Sequence, residues 1–191
     1  MNIISVQKIK SGLYLSYYNI YYINMDNEVK AYEMVSHDHD LKISNVGRHE
    51  SDGIIMIVFN EDKSKMLLSK EFRLAVNKYV YGEPAGFIDD GEDVEEAARR
   101  ELKEETGLDI KEIIGVLNDT YTCAPITDMI TTVIICIASG KIRAKNDFDS
   151  PNEEIYSDWY SKNEVKELLE NKEIMFAGRA QAFAYCWAYG L

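Results

Sequence analysis

Apolar residues fall in short runs along most of the chain, and turn-forming residues bound those runs. Tyr14, Leu15, Tyr17, Tyr18, Ile20, Tyr21, Tyr22 and Ile23 form an aromatic, β-branched cluster closed by the polar turn Asn24-Met25-Asp26-Asn27. Residues 29–35 read as the returning strand, so residues 1–50 are expected to be a small antiparallel β element. A lone hairpin is marginally stable, and this one should pack on something else. From Gly53 onward the pattern sharpens. Residues 54–59 predict a buried strand, 60–64 a turn and 66–72 a second strand. Residues 77–80 lead through Tyr81-Gly82-Glu83-Pro84 into a glycine-bearing stretch, after which come 113–117 and then 118–123, leading to a loop around Pro125; strands are predicted at 131–138 and 155–160, with a polar surface loop at 144–154. Ser161 and Glu164 have the spacing of a capping box opening a helix that turns Val165, Leu168 and Leu169 inward. A last apolar helix spans 177–189. Strands interspersed with helices predict an α/β or α+β domain over 51–191, preceded by the β element.

One helix breaks the usual pattern. Residues 86–91 read as a glycine-bearing loop, Asp90 or Asp93 as the N-cap, and Gly107 as the left-handed stop. At about 100° per residue, Val94, Ala97, Ala98 and Leu102 share one buried arc of roughly 140°. Glu101 and Glu105 project into the middle of that arc. Glu104 and Glu95 sit just outside its edges, and Glu96, Arg99 and Lys103 point to water. Carboxylates turned inward need compensation, because an unpaired buried charge is very costly. A divalent cation with oxygen ligands supplies it; an ordinary solvated acidic face is the weaker reading.

The net charge of −12 excludes a general binder of nucleic acid or anionic membrane, which would carry a basic face. Cys123, Cys136 and Cys186 lack a paired spacing, which implies reduced, mostly buried thiols, no zinc site and a cytoplasmic setting. The N-terminus has no signal-peptide layout, and the apolar runs are too short to span a bilayer. His37-Asp38-His39-Asp40 is better read as a polar loop than as a metal site, since two ligands do not make one.

Residues Gly86 to Leu108, GFIDDGEDVEEAARRELKEETGL, match G-x5-E-x7-R-E-U-x-E-E-x-G-U, where U is aliphatic. Gly86, Glu92, Arg100-Glu101-Leu102, Glu104-Glu105 and Gly107-Leu108 fill every defined position. On these residues the chain resembles the Nudix hydrolases. The resemblance implies an α/β/α sandwich with a mixed sheet, and hydrolysis of a nucleoside diphosphate linked to another moiety with Mg²⁺ or Mn²⁺. It implies Glu101 and Glu105 as the main metal ligands, with Glu104 a third ligand or a water-orienting group. Arg100 would be structural, holding the loop–helix carboxylates, and Glu92 would support the loop.

The flank Pro84-Ala85-Gly86-Phe87-Ile88-Asp89 resembles that of the ADP-ribose pyrophosphatase subgroup, where the carbonyl at the Ala85 position completes the metal shell. Lys70-Glu71-Phe72-Arg73 resembles the subgroup's Q-[YF]-R, which implies that Arg73 contacts substrate phosphate. Asn152-Glu153-Glu154-Ile155 falls where these enzymes carry a water-positioning carboxylate, Glu154 aligning first and Glu153 next. The subgroup also implies a homodimer through the N-terminal strands, with Arg48 a contact across it. Two departures bear on base and sugar recognition. Gly82 and Glu83 stand where the subgroup has Glu and Leu, and residues 124–129, APITDM, differ from its usual post-box segment. A small nucleotide substrate is expected, with ADP-ribose ahead of other nucleotide sugars, dinucleotides or damaged nucleotides. A non-catalytic ligand sensor is the reading from a different class.

Overall fold

The computed structural model describes residues 1–48, 50–144 and 154–191. In chain order its elements are β1 (Asn2–Ser11), β2 (Ser16–Ile23), β3 (Val29–Ser36), β4 (Gly53–Phe59), β5 (Lys65–Arg73), β6 (Lys78–Gly82), β7 (Ala85–Phe87), α1 (Val94–Thr106), β8 (Asp109–Val116), β9 (Thr120–Tyr121), β10 (Ile130–Ser139), β11 (Ile155–Ser161), α2 (Lys162–Glu170) and α3 (Gly178–Tyr189). They divide into two compact units. One is Met1–Asp52 with Asp119–Thr131; the other is Gly53–Asn118 with Thr132–Leu191.

The first unit holds a three-stranded antiparallel sheet in the order β1-β2-β3. Its hairpin turn forms because Asn24 Oδ1 accepts from the amides of Asp26 at 3.0 Å and Glu28 at 2.8 Å, while Asn27 takes the left-handed conformation at φ 61°. β2 alternates as a half-buried strand should, with Ser16, Tyr18 and Ile20 inside. Tyr18, Ile20, Met34 and Leu41 make a small core. Tyr18 keeps its hydroxyl satisfied there, donating to the Asp38 carbonyl at 2.8 Å. β1, by contrast, leaves Ile3, Ile4 and Ile9 exposed. In the loop after β3, His39 Nδ1 lies 2.7 Å from Ser16 Oγ, a polar-loop contact.

The second unit is a helix–sheet–helix sandwich around a mixed sheet in the order β11-β5-β4-β10-β8, with β6 on β5 and β7 on β4. β4 is buried along its whole length and serves both faces. Ile54, Met56 and Val58 point one way, into a core shared with Leu67, Ile134, Cys136 and, from α1, Ala97, Ala98 and Leu102. Ile55, Ile57 and Phe59 point the other way, to Met66, Leu68 and Val133 under α2 and α3. This is the period-two alternation of a strand covered on both sides. Each large side chain so buried contributes about 1.5–3 kcal/mol. α3 packs through Ala180, Ala184 and Ala188, one stripe of small residues. Among the described residues no helix is long and apolar enough to cross a membrane.

The cysteines correct one expectation. Cys136 is buried, and burial pushes its thiol up to about 12. Cys123 and Cys186 are exposed.

Candidate active site

α1 starts where a short side chain can replace a missing helical partner. Asp93 is the N-cap, and its Oδ1 accepts from the amides of Glu95 at 2.8 Å and Glu96 at 2.9 Å. Glu96 Oε2 reaches back to the Asp93 amide at 3.0 Å, completing a capping box. Glu96 therefore does more than face solvent, the role the wheel gave it. Gly107 ends the helix at φ 78°, its amide donating to the Lys103 carbonyl. Thr106, outside the predicted arc, is buried because its hydroxyl donates to the Leu102 carbonyl at 2.6 Å.

The helix glutamates divide by environment as their angular positions require. Glu104 lies outside, its side chain 53% exposed, whereas that of Glu101 is 16% exposed. Glu105 Oε2 is buried. Glu101 rests directly on the backbone of Gly86 in β7. A Cβ at residue 86 would come within 1.9 Å of Glu101 Cδ, so only a bare backbone admits the carboxylate. Ala85, whose carbonyl the resemblance puts in the metal shell, precedes Gly86 in β7 and pairs with Ile55.

Arg100 fixes this arrangement. Its Nε and Nη2 donate to Glu92 Oε1 and Oε2, both at 2.8 Å, in a two-pronged pair. Nη1 donates to Glu101 Oε1 at 2.8 Å, and Nη2 also reaches the Phe87 carbonyl at 2.9 Å. A longer contact of 3.4 Å joins Nη1 to Glu104. One guanidinium thus ties the loop, β7 and the helix together. The hydrogen bonds from Arg100, and then the Asp89 amide, hold the Glu92 carboxyl down to about 2. Reciprocally, its bonds to Glu92 hold Arg100 charged far above the ordinary range.

These groups suit a hard divalent cation in part. The donors are carboxylate oxygens one helical turn apart, and the Gly86 seat holds one of them beside the Ala85 peptide. Among the described residues, however, no three Asp, Glu, His or Cys side chains gather into a ready-made cage.

The other expected residues have partners of their own. Arg73, at the end of β5, is 58% exposed and pairs with Glu71 at 2.6 Å. Arg48, in the first unit, is paired with Asp52, whose other oxygen accepts from the Ile130 amide at 2.8 Å. Glu154 is held by tyrosines: its Oε1 accepts from Tyr79 at 2.5 Å and Tyr156 at 2.8 Å. Those hydroxyl bonds, Tyr79 first, keep the Glu154 carboxyl below the usual range. Glu153 lies outside the described residues. Glu83, one of the departures from the subgroup pattern, is half-buried with its Oε1 enclosed, and desolvation raises its carboxyl.

Sequence reasoning missed the tyrosine cluster around Glu154. The signal was present as Tyr79/Tyr81 and the Tyr156/Tyr160 pair, each at strand spacing, but which strands lie side by side is set by long-range register.

Comparison with known proteins adds an independent line. The sequence pattern of the NUDIX domain matches residues 49–178. The chain is 30% identical over 130 residues to Nudix hydrolase 19, chloroplastic, of Arabidopsis thaliana, covering 68% of this chain and 28% of that protein. It is 27% identical over 133 residues to the ADP-ribose pyrophosphatase of Bacillus subtilis, covering 70% of this chain and 71% of that one. A crystal structure of an ADP compounds hydrolase superposes with a TM-score of 0.72 at 16% identity, covering 100% of this chain and 96% of the other, a likeness of fold.

Proposed function

The chain belongs to the NUDIX domain family, and on that premise we propose that it hydrolyses the diphosphate bond of a nucleoside diphosphate-sugar with Mg²⁺, or Mn²⁺ in its place. ADP-ribose is the first choice of substrate, in keeping with the name of the Bacillus subtilis relative. Water adds to one phosphorus, the P–O–P bridge breaks, and AMP and ribose 5-phosphate leave. The observation that carries the reading is the Glu101 carboxylate seated on bare Gly86 backbone and locked by Arg100.

Glu101 and Glu105 would hold the cation with the Ala85 carbonyl. Glu104, at the helix surface, would join them or orient the attacking water. When bound, the cation supplies charge neutralisation for the diphosphate and a more acidic water. The protein's own part is preorganisation: Arg100 and Glu92 keep the carboxylates in place before substrate arrives, so little reorganisation remains at the moment of reaction. Arg73, itself exposed, would exchange Glu71 for a substrate phosphate. The N-terminal sheet, with apolar side chains exposed on β1, is the proposed dimer contact, and Arg48 the proposed cross-dimer residue.

The test is AMP release from a panel of nucleotide sugars and a dinucleotide, with Mg²⁺ and after chelation. Cleavage of ADP-ribose that chelation abolishes is expected. Tight binding of one member with no cleavage of any would turn the reading to a ligand sensor. Glu105→Gln, which removes a ligand charge, should cut kcat by two orders of magnitude or more with the circular dichroism spectrum unchanged; near-normal turnover would overturn the ligand assignment.

A further inference from the structure

β7, the strand that carries Gly86, is only three residues long and joins the sheet through β4. The register sets Ala85 beside Ile55, Gly86 beside Ile54 and Phe87 beside Gly53. Gly53 is buried at the head of β4, and Ile54-Ile55-Met56-Ile57-Val58-Phe59 follow it. Glycine weakens a strand and offers no side chain to pack, so at such a position it marks a constraint. Backbone conformation is not the constraint: the glycines of positive φ are Gly47, Gly91, Gly107, Gly140 and Gly190. Close approach is. A Cβ at residue 53 would stand 2.6 Å from the Gly86 carbonyl oxygen, 3.5 Å from its carbonyl carbon and 3.6 Å from the Phe87 Cα. The first distance is roughly 1 Å inside ordinary contact. All three are backbone atoms, which no side-chain rotation can move aside.

β7 therefore lies between two bare positions. The alternation along β4 puts residue 53 on the side of Ile55 and Ile57, towards α2 and α3. Glu101 comes from α1, on the side of Ile54 and Met56. A side chain at 53 would push β7 towards Glu101. β4 is enclosed by both cores and holds its place, so the short strand is the part that yields. The shift would be felt at the Gly86 seat under Glu101, at the Ala85 carbonyl, and at the Phe87 carbonyl that accepts from Arg100 Nη2 at 2.9 Å. Arg100 also donates to Glu101 Oε1 at 2.8 Å, so the carboxylate would be disturbed by two routes.

With Glu101, Glu105 and the Ala85 carbonyl as the cation's ligands, the reading on which this rests, we propose that Gly53 is a positioning residue for the hydrolysis. It lies outside the 86–108 segment and touches neither cation nor substrate. Its missing side chain sets the depth of β7, and with it the place of the Ala85 carbonyl relative to the α1 carboxylates.

The variant is Gly53→Ala, and the probe is Mn²⁺ without substrate, followed by the electron paramagnetic resonance of the free ion. The wild type should bind Mn²⁺ and Glu105→Gln should bind it poorly. Gly53→Ala should weaken the Mn²⁺ Kd by about tenfold or more, the loss usual when the groups supporting a metal site are disturbed. Its kcat for ADP-ribose should fall by about a hundredfold, the scale of a 1 Å misplacement, and recover in part at high Mn²⁺. Ile57→Ala removes packing from the same strand; it should lower the urea midpoint and leave the Mn²⁺ Kd unchanged, which separates positioning from lost stability. One measurement needs no variant to fold: in the ¹⁵N-labelled wild type, Mg²⁺ should shift the amide resonances of Gly53, Gly86 and Phe87 together. Normal Mn²⁺ affinity in Gly53→Ala, an equal loss in Ile57→Ala, or a Gly53 resonance that stays while Gly86 moves would each overturn the role of Gly53 and leave the hydrolytic reading standing. A wild type that neither binds Mn²⁺ nor releases AMP would overturn that reading, and the role of Gly53 with it.

Discussion

At the scale of single residues, the site depends on one atom that is missing. Gly86 has no Cβ, and the Glu101 carboxylate fills the space where that atom would stand. Gly86→Ala should therefore displace Glu101 with no change in its charge. A displacement of about 1 Å in a preorganised site costs on the order of a hundredfold, and a loss of at least that size in kcat/KM is expected. A folded variant of normal activity would show that the seat is irrelevant. Arg100 and Glu92 give a second residue-level prediction, in acid. The folded pKa of Glu92 is depressed to about 2 by its bonds to Arg100 and to the Asp89 amide. The stabilisation is thus complete above the ordinary carboxylate range and is lost as pH falls towards 2. Glu92→Gln should be less stable than wild type at neutral pH, with the gap narrowing below about pH 4, the unfolded value. Urea midpoints at stepped pH would check this; a gap that widened in acid would reverse the sign and refute it.

At the scale of elements, α1 was largely legible because its signals are local. The cap, the inward arc and the glycine stop all lie within the helix or one residue beyond it. The sequence left Asp90 and Asp93 open as N-caps, and the structure selects Asp93 through two side-chain bonds. Removing them with Asp93→Ala should destabilise the second unit by about 1 kcal/mol, read as a lower urea midpoint. No shift would mean that the capping box contributes nothing. Glu96 is exposed, as the wheel required, but its capping bond went unread because a helical wheel records direction and not what the chain does at a helix end. The tyrosine partners of Glu154 escaped for a different reason: Tyr79 and Tyr156 are on β6 and β11, brought together by pairing on either side of β5. No pattern within any one of those segments encodes that meeting.

At the scale of the whole molecule, the buried-strand reading of 54–59 transferred to the structure, which covers it on both faces. A run of apolar residues with no polar alternation can only sit between two covering layers. The segment Asp119–Thr131 was less legible. It reads as another strand and loop of the larger domain, yet its Ile126 carbonyl accepts from Val35 at 2.9 Å and Asp128 accepts from Ser36 at 3.0 Å, so it folds with the N-terminal unit. β4 has one more consequence. Each of its faces holds a tryptophan nearby: Trp159 packs against the core beneath α1, and Trp187 against the core beneath α2 and α3. A strand whose odd and even residues belong to different cores cannot release one layer and keep the other. Fluorescence of Trp159→Phe and Trp187→Phe should accordingly report the same denaturation midpoint once each variant's own stability is allowed for, and separate midpoints would mean the layers come apart one at a time.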